Sequence, residues 1–213
     1  TGLYAGLKLL EHNISFCILE QGDMVGGIWS LYANDTSEVN TSECAYRLLE
    51  NDIRSNRDHS TTREVLDDIA SMADRLADHL YLNTKVDWIE KADGSYRIKL
   101  TYDQKETFIT SKGIILAIND RVGTPRKIDW PNQQNYQGEL VSGISDDAKH
   151  VDWKGKKVAI VGMGAFAVEN TRTALEGGAS HVTVACRRHG TVCPKIIDYL
   201  NFASPYDESF KHD

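Results

Sequence analysis

Apolar residues at the start of the chain follow two spacings, and each spacing predicts one kind of element. In residues 2–12, Leu3, Leu7 and Leu10 lie three or four positions apart, as on one face of a helix. Residues 14–20 form a short, nearly continuous apolar run that ends in an acid, which is typical of a buried strand. The chain is therefore expected to open with a helix followed by a strand.

A second helix is predicted after a polar, turn-rich stretch at residues 21–60. Thr61 and Glu64 have the spacing of a capping box, in which each side chain bonds the backbone N–H of the other residue. The apolar face behind them consists of Val65, Ile69, Met72, Leu76 and Leu80. Arg57 and His59 precede this helix and are candidates to approach a phosphate or substrate, the alternative being an exposed loop.

Residues 81–118 contain short runs that predict strands. These runs are LNTKVDWI, YRIKLTY, ETFIT and GIILAI. The Asp93-Gly94 pair separates the first two runs, and such a pair favours a tight hairpin turn. A loop with Pro125 and Pro131 follows these strands.

Beyond Trp153 the pattern becomes strand, glycine turn, helix and strand, which is a βαβ unit. Gly162, Gly164 and Ala167 form G-x-G-x-x-A directly after the first strand of this unit. The first glycine permits the tight turn, the second lets the backbone approach a pyrophosphate, and the alanine lets the helix pack closely. The helix N-terminus offers free N–H groups to the phosphates. We therefore predict a dinucleotide site, the alternative being a glycine turn that binds nothing.

The second strand of this unit ends at Arg187 and Arg188. An acid at this place would hold the ribose 2′-hydroxyl of NAD, whereas a basic residue accommodates the 2′-phosphate of NADP. Paired arginines can bind that phosphate bidentately. The sequence favours NADP(H) over NAD, the alternative being a solvated basic turn.

The first helix and strand fit the end of another such turn. Gly2 stands where the last glycine would fall, and Glu20 closes the next strand at the place of the acid that takes a ribose hydroxyl. The alternative for Glu20 is an ordinary carboxylate at a strand end. The earlier glycines and first strand of this turn are not in the sequence, so we expect an upstream segment. The second domain is also incomplete at Asp213, and two alternatives account for this: the sequence is part of a longer chain, or another chain supplies the missing segments.

Charge and cysteine content narrow the class of protein. The net charge of −7 argues against a nucleic-acid partner. The apolar runs are too short for a membrane span. The four cysteines form no CxxC pair, so they are expected to be reduced, mostly buried thiols rather than metal ligands or disulfides. Their dispersal indicates a soluble intracellular setting, in the cytoplasm or an organelle, and no metal site is expected.

The opening segment resembles the flavin-containing monooxygenase family, which is related to the Baeyer–Villiger monooxygenases. The match rests on Gly2 and Glu20 together with the G-G-x-W motif at Gly26, Gly27 and Trp29. The resemblance implies that all five residues lie along FAD.

The order of the two nucleotide-binding segments also resembles that family, whose NADPH domain is inserted into the FAD domain. The implied fold is α/β: a Rossmann-like FAD-binding domain at residues 1–153, then the start of a Rossmann-like NADP(H)-binding domain at residues 154–213. Asn40 resembles an asparagine near the flavin ring and is the candidate catalytic residue.

The chemistry implied by the resemblance is NADPH-driven reduction of the flavin, followed by a peroxyflavin that oxygenates a small organic substrate. Two departures from the family motifs favour another possibility. Ser142 replaces a histidine in the family's aromatic-x-Gly-x-x-x-His motif, and Ile118-Asn119 replaces Thr-Gly at a strand end. The alternative is a non-catalytic subunit with a structural role, which other protein chains could complete. A disulfide reductase would need a redox cysteine pair, which the spacing does not offer.

Overall fold

The chain folds into two compact units. The structure is a computed structural model, and it describes residues 1–41, 46, 56–57, 59–119, 128–143, 148, 150–188 and 190. The first unit consists of Thr1–Ser30 and Leu66–Thr124, and the second of Leu31–Val65 and Pro125–Asp213. These units are groups of residues that pack together, and their boundaries differ from those of the predicted cofactor domains. The two cofactor domains at residues 1–153 and 154–213 stay a prediction.

Helix α1 (Gly2–Glu11) opens the first unit, as predicted from its apolar spacing. The next strand, β1 (Ile18–Leu19), pairs in parallel with β2 (Leu80–Tyr81). Helix and strand approach closely at Gly6, where a Cβ would lie 2.7 Å from Ile18 Cδ1. The strand predicted over residues 14–20 was too long, because only two of its residues pair with β2. It is also half-buried to exposed rather than buried.

Helix α3 (Thr62–Asp74) follows the short helix α2 (Ile28–Leu31) and begins at the predicted capping box. The Thr61 N–H donates to Glu64 Oε2 at 2.8 Å, and the Glu64 N–H donates to Thr61 Oγ1 at 3.4 Å. The predicted apolar face of this helix is buried at Val65, Met72 and Leu76. The α-helix ends earlier than that face suggests, and a 3₁₀ turn over Ala77–His79 leads into β2.

Three antiparallel strands complete the first unit: β3 (Thr84–Ala92), β4 (Ser95–Tyr102) and β5 (Lys105–Ser111). Asp93 and Gly94 connect the first two with φ values of 46° and 78°. Both central residues of a type I′ turn need positive φ, so the hairpin predicted from this pair is confirmed. Ile98 and Leu100 of the central strand point to the buried face.

The apolar run at residues 113–118 was predicted as a strand, and this prediction was wrong. Its backbone belongs to no strand, and Ile115, Leu116 and Ile118 are 59%, 66% and 79% exposed. A strand needs a hydrogen-bonded neighbour. The described residues place no strand beside this run, so apolar composition alone was misleading.

In the second unit, β6 (Lys157–Val161), α4 (Ala165–Glu176) and β7 (His181–Ala185) form the predicted βαβ unit. The two strands pair in parallel over five residues. Before them, a 3₁₀ turn covers Gln133–Asn135. Across the described part of the chain, no helix is both long and apolar enough to cross a membrane.

Candidate functional site

The glycine turn between β6 and α4 has the geometry of a dinucleotide-binding turn. Gly162 has a φ of 128°, and its N–H donates to Ala185 O at 2.9 Å, which ties the turn to the end of β7. A Cβ at Gly162 would lie 3.7 Å from Ala167 Cβ, so helix and turn pack closely. A Cβ at Gly164 would meet no atom of the described residues within 4 Å. The backbone at the start of α4 is therefore open to an approaching ligand.

A cavity of about 590 Å³ lies against this turn. The described residues that line it are Gly162, Met163, Cys186, Arg187 and Arg188. Both arginine side chains are exposed, and neither is paired with a carboxylate among the residues that the structure describes. Two unpaired guanidinium groups beside the N-terminus of a helix provide a strongly favourable environment for a phosphate.

The first unit brings Gly2 to the start of α1 and Glu20 to the end of β1. A Cβ at Gly2 would lie 3.4 Å from Ala117 Cβ, so residues 113–118 pass close to the beginning of the helix. Glu20 Oε1 accepts the Gly22 N–H at 2.8 Å. This bond orients the carboxylate, whose Oε2 has no partner among the described residues and can accept a hydroxyl.

The G-G-x-W motif forms a tight turn into α2. Gly26 has a φ of 128°, and a Cβ there would lie 2.9 Å from both Leu66 Cδ2 and Ser30 Cβ. Gly27 has a φ of 56°, and its carbonyl accepts the Ser30 hydroxyl at 3.0 Å. Trp29 is half-buried on the short helix. The positive φ of both residues and the close packing at Gly26 explain why glycine occupies these two positions. The contacts of Gly26, Gly27 and Trp29 with FAD stay a prediction.

Asn40 lies in the second unit, directly after the buried residue Val39. Its side chain is exposed and has no hydrogen-bond partner in the described ranges. The Asn40 amide is therefore accessible to a ligand, and its role near the flavin ring stays a prediction.

The loop before α3 contains one exposed and one buried candidate residue. The Arg57 side chain is 65% exposed and its Nε lies 3.5 Å from Glu64 Oε2. His59 is only 4% exposed, and its Nδ1 lies 3.0 Å from Val39 O. Its Nε2 is buried without a partner among the described residues. His59 is therefore a buried residue that connects this loop to Val39, and the sequence did not indicate this contact.

The altered family motif around residue 142 also lies in the second unit. The Tyr136 ring folds back over Gly138, leaving no space for a Cβ there. Ser142 is exposed and precedes Gly143, which has a φ of 69°. The Gly143 carbonyl accepts the Asn170 Nδ2–H at 2.7 Å. This segment is thus attached to α4 through a residue that the sequence analysis did not single out.

The thiols differ in part from expectation. Cys17 and Cys186 are free, but Cys17 is exposed rather than buried, because β1 is short and ends the apolar packing early. Cys44 and Cys193 lie outside the described residues.

Comparisons with known proteins agree with these features. No family model matches the chain. A ferredoxin–NADP reductase of Limosilactobacillus fermentum is 30% identical over 60% of this chain and 37% of its own length. A probable FAD-binding monooxygenase, AlmA, of an Acinetobacter species is 25% identical over 86% of this chain and 39% of its own length. The FAD-containing monooxygenase EthA of Mycolicibacterium smegmatis is 24% identical over 91% of this chain and 39% of its own length.

Solved structures show the same fold at lower identity. A flavin-containing monooxygenase from Stenotrophomonas maltophilia has a TM-score of 0.69 at 17% identity, over 90% of this chain and 56% of its own. OTEMO in complex with FAD and NADP has a TM-score of 0.62 at 22% identity, over 87% of this chain and 37% of its own. The Rossmann-like fold class and the resemblance to flavin monooxygenases are thereby confirmed. The chain spans less than two fifths of the length of these curated relatives.

Proposed function

We propose that this chain forms the nucleotide-binding part of an FAD- and NADPH-dependent oxidoreductase, a monooxygenase acting on a small organic substrate. The observation that carries the proposal is the cavity beside the Gly162 turn, which is lined by two arginines that pair with no carboxylate in the described part of the chain. The relatives named as FAD-binding monooxygenases support the choice of reaction.

The residues at the second turn fit NADPH. The open backbone at Gly164 and the start of α4 would hold the pyrophosphate, and Arg187 with Arg188 would hold the 2′-phosphate. Ala167 would keep the helix close enough for its N–H groups to reach the phosphates.

The residues of the first unit fit FAD. Gly2 would allow the FAD pyrophosphate to approach α1, and the free oxygen of Glu20 would accept a ribose hydroxyl. Gly26, Gly27 and Trp29 would lie along the flavin, with Asn40 as the residue proposed near its ring. When bound, the two cofactors supply hydride transfer and oxygen chemistry, while the protein supplies orientation and exclusion of water.

The visible absorption spectrum of the protein in its native length tests this proposal directly. We expect a flavin spectrum that bleaches when NADPH is added without oxygen, and bleaches more slowly with NADH. A colourless protein that takes up no FAD would instead identify a non-catalytic subunit that has kept the fold.

The arginine assignment is tested by the double variant R187Q/R188Q. Loss of two charge-assisted bonds to the 2′-phosphate should raise the Km for NADPH by about 100-fold and leave the Km for NADH nearly unchanged. Arg75 is an exposed arginine on the first unit, so R75Q is the matched control and should change neither constant. Equal losses for both coenzymes would contradict the assignment.

A second candidate, a reductase that passes electrons to a redox protein, is favoured by the similarity to ferredoxin–NADP reductases. Oxygen consumption that is stimulated by a small organic substrate would support the monooxygenase. NADPH oxidation that requires ferredoxin, with no substrate-dependent oxygen uptake, would support the reductase.

The cellular compartment of the protein also stays a prediction, which cell fractionation would test.

A further inference from the structure

Helix α4 is attached to residues 34–40, here called the 34–40 segment, by hydrogen bonds across more than a hundred residues of sequence. Thr173 Oγ1 lies 2.7 Å from Thr36 Oγ1 and 3.2 Å from Asn34 Nδ2. Arg172 Nη2 donates to Glu38 Oε1 at 2.7 Å. Thr173 is only 7% exposed, so its own contacts are largely shielded from water, whereas the Arg172 side chain is 34% exposed.

Arg172 is the cation at this junction, and it faces three carboxyl groups. Its Nε donates to Glu176 Oε1 at 2.8 Å while its Nη2 binds Glu38. The bonds from Glu38 first, and Glu176 second, raise the pKa of the guanidinium above its ordinary value. Burial raises the pKa of the nearby Glu169, which Ser37 and Arg172 oppose. Loss of Arg172 would remove the guanidinium that binds both Glu38 and Glu176 and that lowers the pKa of Glu169.

The other side of the 34–40 segment is held by the residues that lead into α3. The Thr62 N–H donates to Ser37 O at 3.1 Å, and the Val39 N–H donates to Ser60 O at 2.8 Å. His59 Nδ1 lies 3.0 Å from Val39 O. The segment is thus fixed from two sides up to Val39, and the next residue is Asn40.

We infer that Arg172 is a positioning residue, which through Glu38 fixes Asn40 relative to the glycine turn at the start of α4. The inference rests on the proposed function, in which that turn holds NADPH and Asn40 lies near the flavin ring. A shift of about 1 Å at a reacting centre can cost about 100-fold in rate, so a remote ion pair of this kind has a measurable effect on hydride transfer.

The test uses R172Q in the protein at its native length. At saturating NADPH, the rate of anaerobic flavin bleaching should fall by about 10-fold to 100-fold. The dissociation constant for NADP⁺, measured by fluorescence, should stay within about twofold, because the variant changes no phosphate contact. Hydrogen exchange at the Val39 amide should accelerate by about tenfold or more, and this readout does not depend on activity.

Rescue separates positioning from general destabilisation. The charge-swapped variant R172E/E38R restores an ion pair between α4 and the segment, so it should recover much of the bleaching rate lost in R172E. The matched control is K156Q, which breaks the exposed Lys156–Glu139 pair of the same unit, 2.9 Å long, and should change none of the three readouts.

A wild-type bleaching rate in R172Q at saturating NADPH would overturn the inference while leaving the proposed function intact. A loss of NADP⁺ affinity equal to the loss of rate would also overturn it, because Arg172 would then support the dinucleotide site alone. If R172Q does not fold, E38Q removes the same charge-assisted bond more gently and is expected to give the same pattern. A wild-type protein that takes up FAD but is not bleached by NADPH would remove the proposed function and this inference together.

Discussion

At the scale of the residue, the backbone geometry of Gly162 allows a test of the proposed NADP(H) site. Its φ of 128° lies in a region that residues with a side chain rarely adopt. G162A should therefore cost about 1–3 kcal/mol of folding free energy through backbone strain. It should also weaken NADP⁺ binding by about tenfold or more, because relaxation of that strain moves the turn away from the phosphates.

Gly94 provides the control for this prediction. It also has a positive φ, 78°, but it lies in the hairpin of the first unit, and a Cβ there would meet no atom within 4 Å. G94A should lower the urea midpoint in the same way as G162A while leaving the NADP⁺ dissociation constant unchanged. If G162A bound NADP⁺ as tightly as the wild type, the turn would not be the pyrophosphate site.

Two contacts of the second unit could not be predicted, because the residues that make them are distant in sequence. The glycines of the turn are recognisable since a strand, a turn and a helix lie next to one another along the chain. His59 Nδ1 lies near the Val39 carbonyl, and Arg172 binds Glu38. No local spacing connects such pairs, so only the folded chain shows them.

At the scale of the element, helix α3 depends on the reciprocal bonds at its N-terminus. Burial raises the pKa of the Glu64 carboxyl, but the N–H groups of Thr61 and Arg57 and the Thr61 hydroxyl outweigh it and lower that pKa to about 2. A carboxylate with a lowered pKa stabilises the folded state above its unfolded value near 4.5. This contribution is lost as the pH falls from about 4.5 towards 2.

The variant E64Q isolates this contribution. Glutamine keeps a capping oxygen but not the charge, so E64Q should be less stable than the wild type by about 1 kcal/mol at pH 7. The difference should shrink as the pH is lowered through 4 and 3, because the wild-type carboxyl is then protonated as well. Urea unfolding of both proteins at each pH measures this difference in the free energy of unfolding. A difference that does not change with pH would contradict the low pKa of Glu64.

Elements whose signals are local were predicted well, whereas those that need a neighbour were not. The hairpin at Asp93-Gly94 and the capping box at Thr61 are determined by residues within four positions of one another. The run at residues 113–118 has the composition of a strand, but strand formation requires a hydrogen-bonded partner from elsewhere in the chain. Composition can therefore indicate a candidate strand without establishing that it pairs.

At the scale of the whole molecule, the two compact units do not follow the order of the sequence. Residues 31–65 belong to the same unit as residues 125–213, although they precede much of the first unit in the chain. The sequence motifs predicted two nucleotide turns but did not indicate that residues 31–65 belong to the second unit. Its physical basis lies in long-range contacts such as those of Thr173 with Asn34 and Thr36.

Coenzyme binding should be visible in the stability of the molecule. A ligand that binds only the folded state adds a free energy of RT ln(1 + [L]/Kd), about 2.7 kcal/mol at a concentration 100 times its Kd. NADP⁺ at that concentration should therefore slow hydrogen exchange in β6, α4 and β7, where its phosphates are proposed to bind. NAD⁺ at the same concentration should have a much smaller effect, because it lacks the phosphate that the two arginines would hold.

The comparison between the two coenzymes also tests the arginines without any need for turnover. In R187Q/R188Q the protection by NADP⁺ should fall to the level given by NAD⁺, since the remaining contacts are common to both. Protection that is equal for NADP⁺ and NAD⁺ in the wild type would mean that the arginines form a solvated basic turn. Protection by NADP⁺ that is greater in the wild type and lost in the variant would connect the charge at the end of β7 to coenzyme choice, by a measurement independent of the flavin.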